Sequence, residues 1–300
     1  LAEAATQFQA QAFNELLRSS GPVRTVVMGN DSTSKHQQAK RVRQFMNYYI
    51  TSVMEEYTPD MDQMLFYLPL AGSTFKKTYF DETMGRAVSK FVPAENLVVP
   101  YETSDLETCP NITQVVRMSL NDLRKRQIAG TYLDVEVLPA QKEMSDLDGE
   151  MDRIEGMEPN QIDYDCTILE CHVDLDLEGY EELDYDGEPT GIKIPYVVTI
   201  SEDNGQILSI RRNYQEDDEL KKKIQYFTHF KFLPGFGFYG LGLIHTIGGL
   251  SRTATAALRQ LIDAGTLSNL PACLLYRSDA YDDSCLVSRL GATRGCTNRG

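Results

Sequence analysis

Ten residues, Phe236-Gly-Phe-Tyr-Gly-Leu-Gly-Leu-Ile-His245, constrain this chain more than any other stretch. Glycines interleaved with aromatic rings let a backbone bend tightly and let another backbone come close. A small-residue amphipathic helix follows, from about Ile247 to Leu267. Leu250, Ala254, Ala257, Leu258, Leu261, Ile262 and Gly265 recur at helical spacing and form its apolar stripe, with Arg252, Arg259 and Asp263 beside it. Gly248, Gly249, Ala254, Ala256 and Ala257 allow close approach of a second helix. Arg252 and Arg259, seven apart, project on one side and can pair with acids on a neighbour. Such a helix is either a plain core helix or one made to pack against copies of itself. The stretch holds no nucleophile–base pair, metal-ligand cluster or phosphate loop, which turns the reading from catalysis toward assembly.

Charge is concentrated. Residues 141–190 hold 18 Asp/Glu against Lys142 and Arg153, a local net of −16. The other 250 residues carry 27 basic and 26 acidic side chains, so the total of −15 belongs to one segment. A near-neutral body is a poor candidate for wrapping DNA by phosphate neutralisation, but it can surround DNA without gripping it. No apolar run reaches the roughly 18 residues that span a bilayer, so no membrane partner is expected. The six cysteines include no CxxC pair. That argues against a zinc site and for a reduced, intracellular place of assembly. Cys166 and Cys171, five apart in a strand-like run, should face opposite sides. The chain opens at Leu1 inside what reads as a helix, so a preceding segment is expected.

The fold class expected is α+β. Residues 1–133 read as helices and β-hairpins. Ala4, Phe8, Phe13, Leu16 and Leu17 make the stripe of a first helix, and Thr33–Tyr57 reads as one long second helix, basic in its first half. Met64–Leu70 and Ser73–Asp81 read as strands, with Arg86–Val92 returning as a hairpin after the Asp81–Gly85 turn. Leu97–Val99 and Thr113–Met118 are extended, and Ser119 caps a short helix over 122–128. Residues 134–163 read as an acidic loop or insertion. Residues 164–235 read as a β meander of four strands, Tyr164–Leu177, Ile192–Ser201, Gln206–Tyr214 and Ile224–Leu233, with turns at Asp184–Gly187 and Asp203-Asn-Gly205. Residues 236–271 are the elbow and helix. Residues 272–300 lose sustained periodicity and hold half of the cysteines, which fits out-of-frame sequence.

Candidate chemistry is sparse. His36, His172, His229 and His245 lie far apart, and packed or hydrogen-bonded roles suit them. Asp146, Asp148, Glu150 and Asp152 alternate as in a calcium loop, but Gly149 stands where the sharp turn does not need it. Gly235-Phe-Gly237 and Gly240-Leu-Gly242 look like dinucleotide loops only until Phe236, Phe238 and Tyr239 crowd the space for a pyrophosphate. No cofactor and no metal are expected, and the chain is read as not an enzyme. An acidic β-rich binding module, divalent-cation dependent, is the alternative. A hydrolase would need a histidine within hydrogen-bonding reach of a Ser, Cys or Asp in a cleft, and none is expected.

Several separated motifs carry a resemblance. The runs Leu68-Pro-Leu-Ala-Gly-Ser-Thr-Phe-Lys-Lys-Thr-Tyr79, Val92-Pro-Ala-Glu-Asn-Leu-Val-Val-Pro100 and Thr103-Ser-Asp-Leu-Glu-Thr-Cys-Pro110 resemble the wing of tailed-bacteriophage portal proteins, the head-to-tail connectors. Phe238–His245, with the run 256–271, is similar to the entry into the portal stem helix, most like that of short-tailed phages. The likeness covers roughly residues 1–272. It implies a structural subunit of a ring, usually of twelve copies, at one capsid vertex of the virion, assembled in the host bacterial cytoplasm. Double-stranded DNA would pass through the channel without sequence specificity, packaged by the terminase motor and released at infection. Capsid and scaffold proteins and tail adaptor proteins would be the other partners. Tyr239, Gly240, Gly242, Gly249, Arg252, Ala256, Arg259 and Asp263 are the residues expected at the stem and subunit interface. The clip, the returning stem helix, the tunnel loop and the crown are expected to be missing from these residues.

Overall fold

Apolar residues three and four apart put Ala5, Phe8, Ala12 and Phe13 on one side of the first helix, and that side is covered. The computed structural model describes residues 1–29, 32–82, 84–137, 165–182, 189–218 and 220–269, together with 149, 153, 154 and 156. Helix α1 spans Ala2–Leu16. Its buried stripe is turned slightly from the expected one, since Ala4 and Leu16 face outward. Helix α2 spans Thr33–Tyr48, with the Ser32 hydroxyl accepting from the Lys35 backbone N–H at its start. It buries none of its residues, and Val42 and Phe45 stand exposed.

The single helix expected over 33–57 is divided. A wider π-helical turn at Tyr49–Val53 ends it, and helix α3 begins at Tyr57 and runs to Ala71. Met64–Leu70 is therefore helical and not a strand. A continuous apolar run fits a buried helix as well as a strand, and the local signals decide. Pro59 and Asp60 sit in the first turn, where a missing N–H costs nothing and negative charge is favoured. Gly72 ends the helix in the left-handed region (φ 86°), its N–H donating to Leu68 O. Met61, Met64 and Leu65 pack under Phe8, Phe13 and Leu17.

Strands β1 (Ser73–Asp81) and β2 (Arg86–Pro93) form the expected hairpin. After β3 (Leu97–Val98) come β4 (Asn111–Ser119) and helix α4 (Leu120–Ile128), whose Ser119 cap accepts from Asp122 N–H as the sequence implies. Then follow β5 (Asp165–Leu175), β6 (Ile194–Ser201), β7 (Ile207–Arg212), β8 (Phe227–Lys231) and helix α5 (Leu243–Asn269). The fold is α+β with two antiparallel sheets, β3-β4-β5-β6-β7 and β2-β1-β8. The Asp203-Asn-Gly205 turn joins β6 to β7. The fourth strand of the expected meander is not part of it. β8 crosses to the other sheet and pairs with β1, Ser73 opposite Lys231 and Phe75 opposite His229. There it covers an edge of β1 that would otherwise be open, and Phe227 joins Phe75, Val92, Leu97, Leu106, Ile112 and Phe238 in one core cluster.

A buried ion pair links the sheets. Lys77 Nζ on β1 donates to Glu170 Oε1 on β5 at 2.7 Å and to Gln114 Oε1 on β4 at 2.9 Å, and His172 Nε2 lies 3.0 Å from the same carboxylate. Burial alone would raise Glu170, but the His172 and Lys77 contacts outweigh it and hold the carboxyl well below the usual range. Cys166 is fully buried and Cys171 is partly exposed, on opposite faces of β5 as expected. The acidic stretch 138–148 with Asp146 and Asp148, Glu150 and Asp152, the Asp184–Gly187 turn and residues 272–300 lie outside the described residues. By contacts, residues 1–248 form one unit and 249–300 another, of which the remainder of α5 is described.

Candidate functional site

The elbow is built on three glycines that touch. Gly72 closes α3, and Gly240 and Gly242 come back against it after β8. A Cβ on Gly240 would lie 2.5 Å from Gly72 O and 2.7 Å from Leu233 O. One on Gly242 would lie 2.2 Å from Leu70 O, and one on Gly72 would lie 2.3 Å from Gly242 N. Side chains cannot occupy those places, so the close approach requires glycine at all three. Hydrogen bonds hold it: Phe232 N–H donates to Gly72 O (3.0 Å), Leu241 N–H to Leu233 O (2.8 Å) and Gly240 N–H to Ser73 Oγ (2.7 Å).

Behind the glycines lies an aromatic stack. The His229 ring sits 4.5 Å from Phe75 and 4.7 Å from Phe238, centroid to centroid. Burial, with the Lys231 charge adding and Asp105 opposing, pushes the imidazole down to about 4, so it is neutral near pH 7. Its Nε2 lies 3.1 Å from Ser73 Oγ. That hydroxyl also accepts from Gly240 N–H, so a hydrogen-bonded chain His229–Ser73–Gly240 pins the elbow. This is a serine–histidine pair where none was expected. It does not make a hydrolase site, because Ser73 is 1% exposed and its oxygen is committed to the backbone. Among the described residues no group of His, Cys, Asp and Glu could hold a metal ion, and no helix is long and apolar enough to cross a membrane.

Helix α5 starts directly from this junction, the His245 Nδ1 accepting from Gly242 N–H at 3.1 Å. It begins four residues earlier than the sequence pattern implies. The expected interface residues separate into two groups. Gly240 and Gly242 are buried inside the subunit's own elbow, while Tyr239 is exposed and its hydroxyl donates to Leu97 O. Gly249, Arg252, Ala256, Arg259 and Asp263 all stand exposed along α5, as do Leu250, Leu258, Leu261 and Ile262. A Cβ on Gly249 or Gly265 would meet nothing within 4 Å. A glycine inside a helix costs about 1 kcal/mol relative to alanine, and among the described residues nothing crowds these two positions.

Sequence reasoning missed Gly72, Ser73 and His229 as parts of the elbow. The nearest signal was the small Ala71-Gly72-Ser73 break, but nothing in the sequence joins it to glycines some 168 positions later. A family model described as Phage SU10 portal protein matches residues 6–293, a span that takes in the elbow, α5 and most of 272–300. No curated protein matches the chain. With a match over nearly its whole length, the chain belongs to the phage SU10 portal protein family and is a tailed-phage portal protein.

Proposed function

We propose that α5 is the stem helix through which copies of this chain pack into the portal ring that the family implies, and that the ring forms a conduit for double-stranded DNA at one capsid vertex. The observation that carries this is α5 itself: 27 residues with Leu250, Leu258, Leu261 and Ile262 exposed and with open space at Gly249 and Gly265. A close-packed neighbour would fill that space and cover those side chains. Arg252 and Arg259, exposed on the same helix, would pair with acids of the next copy, and Asp263 and Ala256 would lie at the same contact. Gly240, Gly242 and Tyr239 would lie at the entry to that helix. Twelve copies, packaging by a terminase motor, ejection at infection, contacts with capsid and scaffold proteins and with tail adaptors, and the short-tailed type complete the reading. A body that is near neutral outside 141–190 suits a channel that DNA slides through, since few phosphates would be neutralised.

Native mass spectrometry and negative-stain electron microscopy of the chain test this. A closed ring of fixed copy number, weakened by Leu258→Asp, is the expected result. A strictly monomeric species at every concentration would refute it.

A further inference from the structure

We propose that the cavity between the two sheets binds a phosphate monoester, its doubly negative head held by Arg126 and Arg211 and its organic part by Tyr79, Tyr132 and Tyr226. All of these residues belong to the unit 1–248, so the proposal does not depend on ring assembly.

The cavity measures about 440 Å³, within the roughly 300–1,000 Å³ of small-molecule sites. Strands β1 and β2 form one wall and β4 to β7 the other, and Arg126 of α4 and Tyr132 complete it. Five cations line it, Lys77, Lys90, Arg126, Arg211 and Arg212, against the three carboxylates of Asp81, Glu82 and Glu170. The His172 ring at the same wall is neutral near pH 7, because burial lowers its pKa. The lining therefore carries a formal excess of two positive charges. A phosphate monoester carries about −1.5 to −2 at neutral pH, which matches it.

Partners within the protein satisfy only part of this charge. Lys77 and Glu170 pair with each other. Arg212 lies 3.7 Å from Glu216, an exposed pair that contributes little. Arg126 donates to the Tyr132 hydroxyl at 2.8 Å, an uncharged partner, and the Asp81 charge acts on it more weakly. Arg211 makes no hydrogen bond or ion pair among the described residues. Yet both guanidinium groups stand close enough to repel the Lys77 ammonium. Burial lowers the Lys77 amine from its usual value, Glu170 opposes, and the Arg211 and Arg126 charges add to the lowering. An anion between the two arginines would relieve that repulsion. Guanidinium is a planar, bidentate donor suited to phosphate oxygens.

The tyrosines extend the site beyond the charge. The hydroxyls of Tyr79 and Tyr226 make no hydrogen bond among the described residues. Burial raises both, so they are O–H donors at pH 7. Three tyrosine rings lining one cavity offer flat apolar surface, which an organic ester uses and an inorganic ion does not.

Isothermal titration calorimetry of the full 300-residue chain with adenosine monophosphate, adenosine and inorganic phosphate tests the site. The monophosphate should bind roughly 10-fold or more tighter than inorganic phosphate, and adenosine should give no heat at the same concentration. Arg211→Gln should weaken the monophosphate roughly 10- to 100-fold. Its urea midpoint should stay at the wild-type value, since Arg211 is exposed and unpaired. Tyr226→Phe keeps the ring and removes one donor, and should weaken binding roughly 3- to 10-fold. Absence of heat with the monophosphate at millimolar concentration overturns the proposal. So does adenosine or inorganic phosphate binding as tightly as the monophosphate, or Arg211→Gln binding like the wild type. None of these results bears on ring assembly.

Discussion

Gly240→Ala adds one carbon to the elbow, and the surroundings fix what that carbon meets. It would stand 2.5 Å from Gly72 O, 2.7 Å from Leu233 O and 3.2 Å from Lys231 Cβ. Two of the three are backbone atoms, which cannot swing aside as the end of a side chain would. Relief requires the strand-to-helix segment to move away from α3. That movement lengthens the Gly240–Ser73 and Leu241–Leu233 hydrogen bonds, now 2.7 and 2.8 Å. Overpacking costs about 1–3 kcal/mol, and two weakened hydrogen bonds cost about 0.5–1.5 kcal/mol each. The expected loss is therefore about 4 kcal/mol, a large share of the roughly 5–15 kcal/mol typical of a folded domain. The branched Gly240→Val should lose at least as much. The elbow glycine thus guards the folding of the subunit itself. Urea denaturation followed by near-ultraviolet circular dichroism measures it, with Gly237→Ala as the matched control whose added carbon meets nothing. A Gly240→Ala protein within about 1 kcal/mol of wild type, or a control equally destabilised, would show that the glycine contacts do not set stability.

Lys77→Met should cost about 3–5 kcal/mol by leaving the Glu170 carboxylate buried without its main cation, and Lys77→Met with Glu170→Leu should recover most of it; equal losses in the single and double variants in urea melts would count against the ion pair. His229, with an unfolded value near 6.5 and a folded value of about 4, contributes stability that is fully present above pH 6.5 and is lost as pH falls toward 4. Allowing for its partial exposure, the loss between pH 7 and pH 5 is on the order of 1 kcal/mol, and a His229→Gln protein should lack that share of the pH slope.

Local signals in the chain were legible. The turns at Asp81–Gly85 and Asp203-Asn-Gly205 specified two hairpins, and Ser119 marked a helix start, because each works through bonds to residues two to four positions away. Met64–Leu70 was misread because its exposed position, Phe66, is itself apolar, so no polar side reveals the helical period; Pro69 is also uncommon inside a helix. In the last turn of α3 that proline removes only the bond to Leu65 O. The exchange of β8 between sheets was illegible for another reason. Its pattern states that it is a strand, but partner choice depends on which edge is free, and that is settled by residues far off in sequence. The glycine elbow was recognised as a place of close approach, while Gly72, the backbone it approaches, was not.

The pairing of β8 with β1 also has a consequence in time. Ser73 and Lys231 are 158 positions apart, so the three-stranded sheet cannot close until nearly all of residues 1–248 has been synthesised and collapsed. Everything that fixes the start of α5, namely Gly72, Ser73, Phe75 and the His229 stack, depends on that late closure. The first turn of α5 is therefore among the last parts of the body to be anchored. If α5 joins copies as proposed, a subunit would gain that contact only after its body has folded, and half-folded chains would be kept out of the assembly.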